Sequence, residues 1–266
     1  MPDPSAVAVF TDLSEEGGEL DALVGQLPEA DWARPTPAPG WGIAHQIAHL
    51  HWTDRASLLS LTDADGFAGM VEAALKAPDS FVDEGAREGA ALPPAELLAR
   101  WRAGRTALDA ALAGASPDAR FPWYGPPMKA ASMASARLME TWAHGQDVAD
   151  ALGVHRTPTG RLRHVARIGV RARDYAYAVR GLPSPDGEFR VELTAPGAEG
   201  VWAYGPAGAP QRITGPALDF CLLVTQRAHR ADLALTASGP DADRWLDIAQ
   251  AFAGPAGPGR APRDAR

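Results

Sequence analysis

At 266 residues the chain is long enough for two domains, since one domain commonly holds about 100–150 residues. A hydrophobic fraction of 46% and a charged fraction of 22% suit a soluble globular protein, and a net charge of −8 argues against a nucleic-acid partner, whose phosphates are bound largely through positive charge. No stretch of about 18 uninterrupted apolar residues is present to cross a membrane, no basic-then-apolar secretory pattern is seen, and the single cysteine, Cys221, excludes an internal disulfide, so the expected location is the cytosol.

Taken in order, Ala6 to Leu27 has the apolar spacing of an amphipathic helix, weakened at Gly17-Gly18. Pro28 to Pro39 is a proline-broken loop, and a second helix runs from Gly42 to about Leu61 on the stripe Ile43, Ile47, Leu50, Leu58 and Leu61. A short helix around Phe67–Lys76 and a polar connection lead to a third long helix, Pro94 to Leu112. The aromatic-rich segment Phe121 to Pro127 cannot be helical, and it enters a fourth long helix from Lys129 to Leu152, with Gly153 placed to stop it. Four such helices predict an antiparallel bundle over residues 1–157.

Beyond it the pattern changes. A helix is predicted from Thr159 to Leu182, with five arginines between Arg161 and Arg173 on a solvated face. Phe189 to Thr194 alternates as a half-buried strand does, with Val201 to Tyr204 as its hairpin partner. An apolar helix from Pro216 to His229, a strand from Ala231 to Thr236 and a helix from Asp241 to Phe252 complete a small α+β domain over residues 158–253. The Gly/Pro-rich tail, 254–266, is expected to be flexible or laid across the surface.

The chemistry-bearing residues gather on two of the helices. Glu140 and His144 are four apart on the fourth helix and share a face, and Asp147 follows one turn along the same side. A carboxylate and an imidazole form half of a divalent-metal site, but alone they read more readily as an exposed pair, and a metal needs a third ligand. His49 on the second helix is the candidate; His45 shares its face and His51 points elsewhere. Three protein ligands leave positions open, as in a catalytic rather than a structural centre. On a helical wheel these residues lie behind the apolar stripes, so they would be exposed on an isolated bundle. The α+β domain is the expected cover, with a small-molecule site in the cleft between the domains.

Trp41-(x7)-His49-Leu together with Arg137-Leu-Met-Glu140-Thr-Trp-Ala-His144-Gly resembles the DinB-like metal-binding superfamily, and within it the mycothiol-dependent maleylpyruvate isomerase branch. The segments Phe220 to Arg227 and Ala249 to Pro255 resemble an actinobacterial, largely uncharacterised subgroup of that branch. The resemblance implies a DinB-like four-helix bundle followed by a sterol-carrier-like domain, and metal ligation by His49, Glu140 and His144. It also implies that Arg227, matching an arginine that assists catalysis in the branch, would hold a substrate carboxylate; the bland alternative is an ion pair with Asp219 or Asp232. His45 departs from the family, where many relatives carry an acidic residue, and it is expected to orient a ligand, to join the metal or to act as a base.

Other residues carry paired expectations. Asp147 would orient His144 or a neighbour rather than bind metal, and Asp54 is either a helix-surface charge or a ligand's partner. Trp52, Trp123 and Tyr124 either line a substrate pocket or fill core, while His155, His164 and His229 are read as surface residues. The donor set suits Zn²⁺, although Ni²⁺, Mn²⁺ and Fe²⁺ accept similar ligands. With Cys221 among aliphatics, the nucleophile would be an external thiol, mycothiol in the family's chemistry, activated at the metal. The leading expectation is a metal-dependent thiol transferase or isomerase acting on a small anionic electrophile, as a monomer or homodimer. A hydrolase, lyase or hydratase using metal-activated water, with His45 or Asp54 as base, is the alternative. A non-enzymatic metal- and ligand-binding protein is the third reading.

Overall fold

The computed structural model describes residues 4–78, 80–197, 200–257 and 259–265, which form two compact units, Met1–Arg156 and Thr157–Arg266. The first is helical: α1 (Pro4–Val24), α2 (Ile43–Thr62), α3 (Ala64–Lys76), α4 (Phe81–Ala90), α5 (Pro94–Gly114) and α6 (Ala130–Leu152). The four long helices pack in the cyclic order α1, α6, α2, α5, and α3 and α4 lie against α2. Leu20, Val24, Ile43, Ile47, Leu50, Leu97, Trp101 and Val148 interlock in the bundle interior, together with Trp32 from a short 3-10 turn at Glu29–Ala33. None of the described helices is long and apolar enough to cross a membrane.

Helix α2 is contacted on several sides, which explains why its apolar stripe is an incomplete guide to burial. Gln46, His49, Asp54, Ser57 and Ser60 are buried although polar, while Leu58 and Leu61 are only half-buried. Where the expectation has a polar connection after residue 76, the structure has α4. Its two glycines read as helix breakers, yet they are what lets it dock. A Cβ on Gly89 would lie 2.7 Å from Ala48 Cβ, and one on Gly85 would lie 2.9 Å from the Trp52 ring. Helix α6 ends at Gly153, whose φ of 67° and backbone bonds from Gly153 N to Asp150 O and from Val154 N to Ala149 O close a left-handed cap.

The second unit contains α7 (Leu162–Arg171), α8 (Arg173–Ala178), β1 (Phe189–Thr194), β2 (Val201–Tyr204), β3 (Gln211–Pro216), α9 (Ala217–Val224), β4 (Thr236–Ser238) and α10 (Pro240–Ile248). The sheet order is β2-β1-β3-β4, antiparallel except for the β1/β3 pair. Four expectations are corrected here. The single helix over 159–182 divides at Ala172, because α7 packs on α9 whereas α8 packs on α10, where the Tyr177 hydroxyl donates to Asp241 O at 3.1 Å. The strand over 231–236 is instead a 3-10 turn followed by β4, since Ala234 N donates to the Asp219 carboxylate at 2.7 Å rather than to a neighbouring strand. Helix α9 stops at Val224, not His229. Helix α10 stops at Ile248, not Phe252, with Ala251 N bonded to Val224 O at 2.7 Å. Part of the tail is tied down, since Gly254 exchanges hydrogen bonds with the Tyr175 hydroxyl and Arg263 N donates to Asp232.

Within the first unit, one buried ion pair joins the helices that matter for function. Arg137 Nε on α6 donates to Asp54 Oδ1 on α2 at 2.9 Å, with side chains only 3% and 5% exposed. Removing one member of such a pair leaves a buried charge uncompensated. Asp54→Ala should therefore lower the unfolding free energy by about 3–5 kcal/mol in urea titrations, whereas the combined Asp54→Leu and Arg137→Met replacement should come close to wild type.

Candidate metal centre

Helices α2 and α6 bring three side chains to one point. His49 Nε2 lies 3.4 Å from Glu140 Oε2, and His144 Nε2 lies 3.2 Å from the same oxygen. One ligand atom from each residue falls within 4.8 Å of both others, and His49, Glu140 and His144 form the only such group of three among the described residues. Burial alone would raise the Glu140 pKa, but hydrogen bonds and charge from His144 and His49 outweigh it and hold the carboxyl well below its usual range. The spacing suits a divalent cation. Tetrahedral ligands at zinc's usual bond lengths stand about 3.4 Å apart, close to the two histidine-to-carboxylate separations seen here.

Aromatic rings surround the imidazoles. Trp41 stacks on His144 with centroids 5.9 Å apart and approaches His49 to 5.3 Å, while Trp52 stacks on His49 at 6.3 Å. Trp52 in turn meets Phe81 of α4 edge-on at 4.9 Å. His49 is consequently only 7% exposed. Cover that the helical wheel assigned to another domain is supplied at least in part inside the first unit, by α4 and by Trp41 at the end of the proline-rich loop.

The remaining expected site residues are placed as follows. His45 stays outside the group of three: its Nδ1 accepts the Gly42 backbone N–H at 3.2 Å, capping α2, and burial and the nearby Arg87 lower its pKa despite the opposing charge of Asp83. Asp54 is the partner of Arg137 rather than of a histidine. Asp147 is buried on α6 outside the group of three. Trp123 and Tyr124 stand at the tip of a loop closed by Phe121 and Met128, and both pack on Phe67. A row of ring contacts thus runs from His49 through Trp52 and Phe81 to Tyr124.

Arg227 belongs to the second unit, where its Nη1 donates to Thr225 O at 2.7 Å. Of the two carboxylates named as alternative partners for it, Asp219 accepts from Ala234 N and Asp232 accepts from Arg263 N. Arg227 follows Gln226, the one described non-glycine residue with positive φ (58°), in a left-handed cap closed by Arg227 N to Leu222 O at 2.8 Å. His155 is exposed as expected, whereas His164 and His229 are half-buried.

Three residues at the centre went unassigned from sequence: Trp41, Thr36 and Gln46. Gln46 precedes His49 by three positions, and side chains three apart on a helix share a face, so the signal was present. Its side-chain oxygen lies 2.5 Å from His144 Nδ1, and it is fully buried.

The chain is 55% identical over 260 residues to a protein of Mycobacterium tuberculosis, found in two strains and described as uncharacterised, covering 98% of this chain and all of the relative. The fold resembles the crystal structure of the mycothiol-dependent maleylpyruvate isomerase, with a TM-score of 0.59 at 18% identity over 88% of this chain and 92% of that one. A histidine-to-alanine mutant of the same enzyme matches with a TM-score of 0.58. A family described as wyosine base formation matches residues 185–238. The family of the mycothiol maleylpyruvate isomerase N-terminal domain matches residues 13–149, more than half of the chain, and the protein belongs to that family.

Proposed function

We propose that the protein is a divalent-metal-dependent enzyme that uses a low-molecular-weight thiol, mycothiol in the family's case, to isomerise or conjugate a small anionic electrophile. The observation that carries this reading is the convergence of His49, Glu140 and His144 on one point. A cation held there would supply Lewis acidity, lowering the pKa of a coordinated thiol. In an isomerisation the thiolate would add to a conjugated carbon, the former double bond would rotate as a single bond, and expulsion of the same thiolate would restore the alkene. In a transfer the carbon–sulfur bond would remain, and the neighbouring carbon would take up a proton to replace the one the thiol lost.

The nucleophile is external in this reading because Cys221 is unsuited to the part. It is fully buried, burial pushes its thiol pKa up, and its Sγ faces Leu162 O at 3.5 Å. The water-activating alternative is less well supported. His45 accepts a backbone N–H at Nδ1, so its neutral ring carries the proton on Nε2 and offers no base there, and the Asp54 carboxylate is held by Arg137. Zinc is the proposed metal, since the donor set of two imidazoles and one carboxylate suits it. Arg227 is proposed to hold the carboxylate of the substrate through its planar guanidinium.

Elemental analysis of the purified protein should give about one divalent metal per chain, as a three-ligand centre requires. His49→Ala and Glu140→Ala should each reduce that content to background while the helical circular dichroism is retained; full metal content in both variants would remove the metal reading. Supplied with mycothiol and a panel of anionic electrophiles, the metal-loaded enzyme should turn over only when the thiol is present. Thiol-independent turnover would move the assignment to metal-activated water. Arg227→Ala should leave metal content unchanged and raise KM for anionic substrates.

A further inference from the structure

The hydrogen bonds behind His144 determine which of its nitrogens carries a proton. Thr36 Oγ1 donates to Trp41 O at 2.8 Å, and a carbonyl oxygen can only accept, so the single hydroxyl proton is committed there. The same carbonyl also receives Thr36 N–H at 2.9 Å, which fills its second lone pair. Gln46 meets the Thr36 hydroxyl oxygen at 2.8 Å, and that oxygen, its proton already used, must accept. The amide therefore presents Nε2 to Thr36. Its Oε1 is turned toward His144 Nδ1, 2.5 Å away, and an acceptor in that position requires an N–H on the ring. Ordinarily the two ends of a side-chain amide are hard to tell apart. Here a backbone carbonyl at the end of the chain fixes them.

We infer that Gln46, held by Thr36 and the Trp41 carbonyl, is a positioning residue that keeps His144 protonated at Nδ1, so that Nε2, which meets the Glu140 carboxylate when no cation is bound, is the nitrogen that exchanges its proton for a cation beside Glu140 and His49. The inference rests on the metal reading proposed above and names the residues that prepare that site. Gln46 is fully buried on the face of α2 that carries His49, so its orientation is set by packing as well as by Thr36. Its neutrality matters too. Partners behind ligating histidines are often carboxylates, which make the imidazole a stronger donor. A neutral amide orients the ring without adding a second negative charge to that of Glu140, and a bound cation would remain more electron-poor, as activation of a thiol requires.

The test uses the full chain in its metal-free form. Nitrogen-15 spectra of the histidine side chains should show His144 protonated at Nδ1; an unprotonated Nδ1 overturns the inference whatever the metal affinity. Zinc affinity, measured by competition with a chromophoric chelator, should fall about 10–100-fold in Gln46→Leu, the range typical of losing a ligand's hydrogen-bond partner. Gln46→Glu, which keeps an acceptor, should bind at least as tightly as wild type. Thr36→Val, which leaves Gln46 in place but unguided, should weaken binding by a smaller factor at little cost in thermal stability. Should Gln46→Leu bind zinc within twofold of wild type while His49→Ala does not, the role of Gln46 is refuted and the metal centre stands. Should His49→Ala also bind like wild type, the metal centre itself is refuted.

Discussion

One carboxylate oxygen of Glu140 stands 3.4 Å from His49 Nε2 and 3.2 Å from His144 Nε2, a spacing that a shared proton or a cation can bridge. Helices α2 and α6 hold all three groups in that relation. Glu140 and His144 are rigidly related by one helical turn, so the only freedom left is the position of α2 against α6, which decides whether His49 arrives. That relation is pinned by the Asp54–Arg137 pair between the same two helices, and by the bond from Gln46 on α2 to His144 on α6. Buried ion pairs often contribute little net stability, because desolvation of the two charges offsets their attraction. Here the pair links the same two helices that carry the three donors.

The same demand shapes the surroundings. Charged and polar side chains along α2 would face water on a plain bundle, where solvent screens them. Helix α4, brought close by Gly85 and Gly89, and Trp41, lying across His49 and His144, place apolar surface over them instead. Exclusion of water strengthens every electrostatic interaction inside. At Glu140 burial acts to raise the pKa, and the hydrogen bonds and charge of its two imidazole neighbours lower it further than burial raises it. The second unit shows a related economy at Gln226, where a non-glycine residue takes a left-handed conformation to end α9 and begin the turn that presents Arg227. Such residues are uncommon outside glycine and asparagine.

Periodicity located the long helices, because their burial repeats with the helical period and several neighbours agree. Residue spacing placed Glu140 and His144 on one face, and the resemblance to known proteins added His49. Shorter elements escaped for identifiable reasons. Helix α4 has glycines where a helix propensity scale expects a break. Strand β3, central in its sheet, buries fully only Ile213, and so lacks the alternation that marks β1. Strand β4 lies a few residues beyond its expected position because the Asp219 side chain satisfies the backbone that would otherwise have paired.

By itself, then, the sequence determined the helical first half, the mixed second half, the change of pattern between them and the Glu140–His144 pair, since each depends on local spacing along the chain; His49 was singled out as their partner with the help of the resemblance. Tertiary structure alone decided that those donors meet, that α4 and Trp41 cover them, and that Thr36 and Gln46 direct a proton on His144. Those outcomes depend on distances and hydrogen-bond directions between residues as far apart as 46 and 144. Local periodicity carries no information about such pairs until the chain has packed.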